Sequence, residues 1–571
     1  MELEKKDFTV IVLSFCIIIS SGVNIILGIQ LGRYYNQRTT PDKEILIVGT
    51  PSGPTVLDPV DSWESPANDV IRQVAEPLWY YNLTDINMDR INMLSESEQW
   101  INTTALSVTL RKGVRFHDGT PFNADTVKWN IDRLLYLCNH TGQLSSEERR
   151  ATPHFLYEDP TGNPLLSHVE ITGIYECIIH LAQPFSSLMN LMCFTSSVML
   201  SPTAHAEDAT SFIDLATGRL VGTGPYMYDK YIAEREVIFT RWDEYWRDLA
   251  MFKELKFKII GDEIIRNYEL LVGKIDYLRL PSLDFFESFK TNSKVTFYEH
   301  QKPGLGYGFL NFNNENINVT WRKAMSYAFN YTYIIEDYYQ GRFVRSYGPI
   351  SLGFGKYYDP AIVNTAPYYN LTIARQTIID DPGIDTTGLT ANNDPDDENW
   401  LNADLASFNF SFYKYCDEFK GELYILLRDW FDAIGITIIG TSDWAYFLWL
   451  YPHPDELDLF WRSCYLDYLD PIDLFVPLYS NASFSNYALV NDRKLEQMIS
   501  DSINELNETL RIETYKNISH YLAGELYPDI FVYQPKIYYA FAADLYDVPY
   551  NSFGKFYACQ IKRNLTWDSI N

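Results

Sequence analysis

An uncharged stretch of 25 residues near the amino terminus divides this chain into two unequal parts. Phe8 to Gly32, "FTVIVLSFCIIISSGVNIILGIQLG", contains no Asp, Glu, Lys or Arg. A helix of that length spans roughly 37 Å at about 1.5 Å per residue, which exceeds the ~30 Å hydrocarbon core of a bilayer. We interpret residues 1–32 as a membrane anchor. A cleaved signal peptide is the alternative, because the small residues Ser20 and Gly22 suit a cleavage site.

The rest of the chain has the composition of a large folded body. The whole chain has 571 residues, which exceeds the size at which one hydrophobic core stops growing, so we expect about two to four domains. Aromatic residues make up 16% of the chain, and such side chains suit both cores and the walls of binding clefts. The formal charge of −29 disfavours nucleic acid as a partner, because a polyanion would be repelled.

Acceptor patterns for N-linked glycans place the body outside the cell. The pattern Asn-X-Ser/Thr occurs eleven times and spans the body. We therefore expect a cell-surface protein held by its N-terminal helix. The candidate acceptors are Asn82, Asn102, Asn139, Asn318, Asn330, Asn370, Asn409, Asn481, Asn507, Asn517 and Asn564.

Cysteine usage leaves two interpretations open. Besides Cys16 in the apolar segment there are six cysteines, an even number that permits up to three disulfides or, equally well, buried free thiols. No Cys-X-X-Cys spacing occurs, so neither a zinc site nor a redox site is indicated. We expect no metal and no cofactor.

Secondary-structure signals alternate in the manner of α/β architecture. Residues 33–43 form a polar linker, and "EILIVGT" predicts a strand that a loop and a helix follow. A further helix is predicted over "WRKAMSYAFNYTYIIEDYY" before Gly341. In "GVRFHDGTPFNADTVKW", Asp118 and Gly119 are typical turn residues, and Asn123 is a candidate helix N-cap. We therefore assign His117 a structural rather than a catalytic role.

The order of several motifs resembles one known family. The motifs are "VGTPSGPTVLDP", "RQVAEPLWYY", "LRKGVRFHDGTPFNADTVKW", "VGTGPYMYDKYIAEREVIFTRWDEYW", "LNFNNENINVTWRKAMSYAFN", "CYLDYLDPIDLFVPLY" and "RIETYKNISHYLAGELYPDIFVY". In this order they resemble the extracellular solute-binding proteins of the dipeptide and oligopeptide family, family 5, which deliver ligands to ATP-driven importers. The resemblance covers nearly all of residues 44–563.

The resemblance implies an α/β fold with two lobes and a hinge, the class II periplasmic-binding-protein architecture with an extra domain. In this layout the N-terminal helix precedes the lobes, and the first lobe is discontinuous. The implied boundaries are 44–81, 218–300 and 537–571 for lobe I, 82–217 for the extra domain and 301–536 for lobe II.

Candidate ligand contacts also follow from the resemblance. In peptide-binding members the first acidic residue of a pattern like Asp-Tyr-X-Asp-Pro holds the ligand's α-ammonium group, which is Asp467 here. Asp470-Pro471 is expected to shape the loop. The remaining candidates are a loop offering main-chain groups (Thr55, Val56, Asp58), a lobe-crossing segment (Thr223, Gly224, Tyr226) and aromatic pocket walls (Tyr465, Trp461, Trp444).

The resulting functional hypothesis is a binding protein without chemistry of its own. It captures a peptide in an interlobe cleft, closes, and docks on the permease of an ABC importer, acting as a monomer. Oligosaccharides or another small solute are alternative ligands of the same fold. Alternatives of other classes are a surface structural protein and an extracellular hydrolase, although the chain lacks His-Glu-X-X-His and Gly-X-Ser-X-Gly.

Overall fold

A computed structural model describes residues 44–145, 150–216, 218–412, 420–441, 458–483 and 485–564 of the chain. Within these ranges, none of the helices combines the length and the apolar character that crossing a bilayer requires. The segment Phe8–Gly32, interpreted above as an anchor, lies outside the described residues.

The strands fall into three main sheets and two small ribbons. In chain order they are β1 (Ile45–Thr50), β2 (Trp79–Tyr81), β3 (Arg90–Asn92), β4 (Ser95–Asn102), β5 (Ala105–Leu110), β6 (Leu166–Gly173), β7 (Glu176–Leu181), β8 (Tyr226–Ile232), β9 (Glu236–Arg241), β10 (Glu254–Ile259), β11 (Tyr277–Leu278), β12 (Val295–Glu299), β13 (Tyr307–Phe312), β14 (Phe343–Arg345), β15 (Ala406–Phe412), β16 (Ile436–Thr441), β17 (Leu459–Cys464), β18 (Asp529–Pro535), β19 (Tyr538–Ala542), β20 (Leu545–Tyr546) and β21 (Lys562–Arg563).

The α-helices lie between these strands and are mostly short. They are Ser65–Val74, Ala124–Leu137, Leu188–Leu191, Glu263–Leu271, Phe286–Thr291, Val319–Ala328, Tyr331–Tyr333, Leu371–Ile379, Glu398–Leu401, Lys420–Asp432, Ile472–Tyr479, Arg493–Asn504 and Glu508–Tyr521.

Each main sheet is the centre of one part of the molecule. Lobe I is built on a sheet of order β12-β19-β11-β1-β10-β9-β8, in which β1 runs parallel to β10 and β11. Lobe II is built on the order β14-β18-β13-β17-β15-β16, and the extra domain on the antiparallel order β4-β5-β7-β6. This mixed α/β architecture with two lobes agrees with the sequence analysis. The residue boundaries given above for the lobes remain a prediction.

Two short crossings connect lobe I to lobe II. The first runs from β12 to β13 over residues 300–306, and the second from β18 to β19 over residues 536–537. The crossings lie side by side: Gly304 N–H donates to the Pro535 carbonyl at 2.7 Å, and His300 N–H to the Ile537 carbonyl at 2.9 Å.

One apolar core runs from the extra domain into lobe II. Leu188 and Leu191 of the extra domain share a buried cluster with Leu469 and Phe475 of lobe II, and all four are at most 5% exposed. A second cluster fills the other half of lobe II, and a third lies beneath the lobe I sheet. The extra domain is therefore packed against lobe II in this conformation, although its chain connections lead to lobe I.

Many Asn-X-Ser/Thr patterns have a local structural role. A side-chain oxygen that accepts backbone N–H groups starts a helix or closes a turn. Asn residues that cap helices in this way are Asn318, Asn330, Asn370 and Asn507. Turns closed in the same way, with the Thr two residues on as a further donor, begin at Asn82 and Asn102. These six Asn residues thus have a structural role as caps or turn formers. Glycan attachment stays a prediction.

The described cysteines carry free thiols. They are Cys138, Cys177, Cys193, Cys464 and Cys559. Of the two interpretations left open by the sequence, the structure therefore supports free thiols for these five.

Candidate functional site

A cavity of about 440 Å³ opens between the extra domain and lobe II. The extra domain contributes Phe155 and the turn Asp159–Gly162. Lobe II contributes Arg462 and Cys464 at the end of β17, the loop residues Tyr465, Asp467 and Tyr468, and one face of the helix Ile472–Tyr479. Lobe I reaches the cavity through Trp63, which is 49% exposed and packs edge-on against Phe155 with 4.9 Å between ring centroids. The volume lies in the range of small-molecule sites.

Asp467 lines this cavity from a firmly held loop that follows β17. The carboxylate of Asp473, at the start of the next helix, accepts the N–H groups of Asp467 at 2.7 Å and Tyr468 at 3.3 Å. The N–H of Leu469 donates to the hydroxyl of Tyr81 at 2.9 Å. These bonds fix the backbone beneath the Asp467 side chain, so its carboxylate is presented to the cavity in a defined position.

The Asp467 carboxylate bridges lobe II to lobe I. Its Oδ1 accepts a hydrogen bond from the indole Nε1 of Trp63 at 2.7 Å. Burial raises the pKa of Asp467 to about 6, and the Trp63 bond and the charge of Lys555 oppose that rise. Burial and the charge of Asp467 likewise hold the pKa of Asp473 well above its usual range. A positive charge placed beside Asp467 would offset this cost of burying negative charge.

Lys555 brings a positive group close to Asp467 from lobe I. Its Nζ lies 4.2 Å from the centroid of the Phe553 ring. Burial and the charge of Arg72 lower the pKa of Lys555 to about 7, while the charges of Asp69 and Asp467 act in the opposite sense. The lowered pKa reduces the positive charge that Lys555 carries near neutral pH, and a charge at this position would compete with a ligand cation for Asp467.

Arg462 supplies a positive charge within the cavity wall. Its guanidinium lies 4.8 Å from the ring centroid of Tyr487 and 5.5 Å from that of Phe309. Stacking between aromatic rings orients a guanidinium while its N–H groups stay available for a carboxylate. The cavity therefore offers an acidic group at Asp467 and a basic one at Arg462, five positions earlier.

Of the ligand contacts predicted in lobe II, Asp467 and Tyr465 line the cavity, and Trp461 does not. Tyr465 lies beside Asp467 in the cavity wall and is 69% exposed. Trp461 is 0% exposed and packs against Phe329 and Tyr533 in the core of lobe II, so its expected role as a pocket wall is wrong in this structure. Because side chains alternate along a strand, Arg462 and Cys464 face the cavity and Trp461 faces inward. Trp444 lies outside the described residues.

The predicted loop Thr55–Asp58 has a structural role in lobe I. Asp58 is buried and ion-paired with Arg133 of the extra domain, with Nη1 to Oδ1 at 3.0 Å. It also caps the short helix Pro59–Asp61 by accepting the Val60 N–H. Thr55 donates its N–H to Glu64, and Val56 packs on the lobe I core. None of the three lines the cavity around Asp467.

The predicted lobe-crossing contacts are likewise packed inside the molecule. Thr223 donates its hydroxyl to Glu76 at 2.8 Å, and Gly224 donates its N–H to the Val74 carbonyl at 2.8 Å. Tyr226 is fully buried in the lobe I core. Another partner of Gly224 is His117, whose ring Nε2 lies 2.9 Å from the Gly224 carbonyl and whose pKa is lowered to about 4 by burial. Thr223 and Tyr226 thus pack within lobe I, and the contact between His117 and Gly224 joins lobe I to the extra domain.

Comparison with known proteins gives one family and a consistent fold. Residues 89–486 match the model for bacterial extracellular solute-binding proteins, family 5. The glutathione-binding protein GsiB of Shigella flexneri is 27% identical over 322 residues, which are 55% of this chain and 58% of GsiB. The matched part thus spans less than two thirds of that relative's length.

Solved structures share the fold over most of the chain. The dipeptide-binding protein of Pseudoalteromonas sp. SM9913, in complex with Met-Leu, has a TM-score of 0.69 at 18% identity and covers 91% of this chain and 100% of its own. The periplasmic binding protein DppA of Helicobacter pylori, in complex with the peptide STSA, has a TM-score of 0.69 at 15% identity and covers 91% and 98%. At these identities the likeness concerns the fold.

Proposed function

Because the chain belongs to the bacterial extracellular solute-binding proteins of family 5, we propose that it captures short peptides and delivers them to the permease of an ABC importer. The observation that carries this proposal is the position of the Asp467 carboxylate, which lines a cavity of about 440 Å³. The backbone N–H of Asp467 is held by the side chain of Asp473. The similar proteins that contain Met-Leu and the peptide STSA support the choice of peptides.

Asp467 is the proposed acceptor for the ligand's ammonium group. A carboxylate accepts about four hydrogen bonds on its two oxygens, so an ammonium group binds beside the Trp63 indole that Oδ1 already accepts. The ammonium group also offsets the cost of keeping this carboxylate charged in a partly buried site. A free α-amino group is therefore the ligand feature on which affinity depends most.

Arg462 is the proposed partner for the ligand's carboxylate. It lies in the same cavity wall as Asp467, and its guanidinium is oriented by Tyr487. Five extended residues span at most about 18 Å, so the Cα atoms of Arg462 and Asp467 are no farther apart than that, and the pair of charges favours short ligands. We propose dipeptides and tripeptides as the substrate class, with oligosaccharides and other small solutes as alternatives.

No bond of the ligand is broken in this proposal. The cavity binds, the lobes close around the ligand, and the closed form is recognised by the permease. Incubation of peptides with the purified protein is expected to leave them intact by mass spectrometry. Cleavage products that scale with protein concentration would favour the hydrolase alternative instead.

Location at the cell surface is part of the same proposal. We propose that Phe8–Gly32 anchors a monomeric, glycosylated body on the outer face of the membrane, with signal cleavage as the alternative. Protease treatment of intact cells is expected to remove the body, and N-glycosidase is expected to increase its mobility on a gel. Unchanged mobility would assign the Asn-X-Ser/Thr patterns to capping alone.

Binding of trialanine by isothermal titration calorimetry tests the site directly. Asp467→Ala is expected to weaken binding about 10- to 100-fold, the effect of losing a hydrogen bond to a charged group. Asp159→Asn is the matched control, because Asp159 lines the same cavity and its loss removes the same charge. N-acetylated trialanine is expected to bind the unmodified protein as weakly as trialanine binds Asp467→Ala.

Two results would refute the peptide proposal. Equal losses in Asp467→Ala and Asp159→Asn would mean that only the overall charge of the cavity matters. Binding of an oligosaccharide panel that is indifferent to Asp467→Ala would keep the fold and replace the ligand.

A further inference from the structure

A buried carboxylate, Asp470, joins the extra domain to lobe II. Its Oδ2 accepts hydrogen bonds from two extra-domain side chains, Ser187 Oγ at 2.7 Å and Asn190 Nδ2 at 2.9 Å. Its Oδ1 accepts from Tyr515 Oη of lobe II at 2.7 Å and from the Ile472 N–H at 3.1 Å. The residue is 0% exposed, so protein donors rather than solvent satisfy the charge.

The same loop carries Asp470 and the ligand-facing Asp467 three residues apart. Asp473 holds the N–H groups at the start of this loop, and the Tyr81 hydroxyl accepts the N–H of Leu469 in its middle. The Tyr81 hydroxyl in turn donates to the Asn190 carbonyl at 3.2 Å. Because the loop is short and held at both places, we expect a displacement of one carboxylate to be passed to the other.

We propose that Asp470 is a closure latch, a positioning residue that couples occupancy of the Asp467 site to docking of the extra domain on lobe II. The inference rests on the proposed function, because it takes closure around a ligand as the working cycle. Opening between the extra domain and lobe II separates Asp470 from Ser187 and Asn190. A ligand that fixes Asp467 keeps the loop where Asp470 reaches both donors.

Hydrogen bonds from Ser186 to lobe II carbonyl groups show that Asp470 lies in a formed interface. Ser186 N–H donates to the Ile503 carbonyl at 2.8 Å, and Ser186 Oγ donates to the Ser502 carbonyl at 3.0 Å. Beneath them, Leu188 and Leu191 share the apolar core with lobe II. Apolar side chains supply most of the buried surface of this interface. The Asp470 hydrogen bonds fix how the two parts align, because an unpaired carboxylate in this setting is strongly disfavoured.

Two substitutions separate latching from simple stabilisation. Ser187→Ala and Tyr515→Phe each remove one hydroxyl that donates to Asp470 at 2.7 Å, and the Ser187 bond crosses from the extra domain to lobe II whereas the Tyr515 bond lies within lobe II. The two hydroxyls also lie 3.5 Å apart, and both substitutions remove this contact equally, so the difference between the variants isolates the bond from Ser187 to Asp470. The first readout is the ligand-free open population of the full chain, from fluorescence energy transfer between dyes on the extra domain and lobe II. The second readout is the dissociation rate of trialanine.

Ser187→Ala is expected to raise the open population and the dissociation rate about tenfold, which corresponds to about 1.4 kcal/mol. Tyr515→Phe is expected to lower the unfolding temperature and to change both readouts much less, because across the interface it removes only the 3.5 Å contact with Ser187. Asn190→Asp is a second variant, which places a carboxylate against Asp470 and is expected to open the interface further. It keeps the test decisive if Ser187→Ala fails to fold.

Equal effects of Ser187→Ala and Tyr515→Phe on opening would reduce Asp470 to a fold stabiliser and overturn the inference. An energy-transfer distribution that neither Ser187→Ala nor Asn190→Asp shifts would do the same. If trialanine and other peptides fail to bind at all, the proposed function is wrong, and the ligand-free distribution still decides whether Asp470 latches the interface.

Discussion

At the scale of a residue, the charge of Asp467 is expected to make the proposed ligand capture depend on pH. The pKa of Asp467 is raised to about 6 and that of Lys555 is lowered to about 7. As pH falls from 8 to 5, Lys555 gains a competing positive charge and Asp467 then loses its negative charge, so both changes weaken ammonium binding. Calorimetry is expected to show affinity for trialanine falling by up to about tenfold per pH unit below pH 6.

Asp467→Asn provides the control for this pH dependence. With the carboxylate removed, the remaining weak affinity is expected to be nearly independent of pH between 5 and 6. An affinity of the unmodified protein that stays constant over the same interval would contradict the assignment of Asp467 as the ammonium acceptor.

Asp529, buried in lobe II, is expected to make stability depend on pH. Burial raises its pKa from 3.8 to about 7, against the hydrogen bonds of Tyr479 and Asn311. A raised folded pKa means that the folded state binds the proton more tightly, so the stabilisation is full below pH 4 and is lost as pH rises through 7. Relative to Asp529→Asn, the free energy of unfolding is expected to fall by about 1.4 kcal/mol per pH unit between pH 5 and 6.5.

Urea unfolding of both proteins at each pH measures this difference, because titration of all other groups cancels between them. Parallel stability curves for the two proteins would show that Asp529 does not keep its proton in the folded state.

Trp63 is expected to report ligand binding by its fluorescence. The indole lies in the cavity wall, half exposed, and donates to Asp467. A ligand that covers the ring shifts its emission to shorter wavelength, so Trp63→Phe is expected to lose most of the trialanine-induced shift. Trp100→Phe is the control, because Trp100 lies on β4 of the extra domain, outside the residues that line the cavity. A shift retained in Trp63→Phe would place the ligand elsewhere.

The sequence analysis named Asp467 and Tyr465, which line the cavity, but it did not name Trp63 or Arg462. Asp467 follows from a local motif, whereas Trp63 and Asp467 are 404 positions apart and meet only in the folded chain. The prediction for Trp461 was wrong because its position three residues before the motif "CYLDYLDPIDLFVPLY" does not say which face of β17 it occupies. That choice depends on strand pairing, which puts Arg462 rather than Trp461 toward the cavity.

At the scale of an element, helix Ala124–Leu137 shows how local chemistry sets a boundary. The Asn123 side chain accepts the Thr126 N–H, and the Thr126 hydroxyl accepts the Asn123 N–H, both at 3.1 Å. Asn123→Ala is expected to lower the free energy of unfolding by about 1 kcal/mol in urea. Lys128→Ala on the same helix removes only an exposed ion pair and is expected to cost less than about 0.5 kcal/mol.

Where local signals are clear, the observed elements match those predicted from the sequence. Where signals compete, one observed element differs from its prediction. The strand in "EILIVGT" is β1, and Asn123 caps its helix as expected. The single helix expected before Gly341 is broken instead. Helix Val319–Ala328 ends, and Asn330 caps a new turn that starts at Tyr331. The apolar periodicity continues through the break, so only the capping bond of Asn330 reveals it.

At the scale of the whole molecule, ligand binding is expected to stabilise both lobes together. A ligand at 100 times its Kd adds about 2.7 kcal/mol to the free energy of unfolding. Because the site includes Trp63 of lobe I, Phe155 of the extra domain and Asp467 of lobe II, trialanine is expected to merge separate unfolding transitions in a calorimetric scan. N-acetylated trialanine at the same concentration is the control. Stabilisation of one transition alone would place the ligand within a single lobe.

The two-lobed plan follows from the order of motifs, but the packing of the extra domain does not. The bond between Ser187 and Asp470 joins residues 283 positions apart, and no local pattern marks either as an interface residue. Alternating strands and helices predict α/β layers, whereas the choice of which layer covers which depends on contacts between distant parts of the chain.

The two crossings between the lobes also determine how the molecule can move. They are hydrogen-bonded to each other and continue paired strands, β12 with β19 and β13 with β18, so they form a narrow ribbon. Such a ribbon bends across its flat face and resists sliding within its plane. We therefore expect the lobes to swing mainly about one axis across the ribbon. Asp467 and Trp63, which meet across the lobes, would then approach each other along a single path.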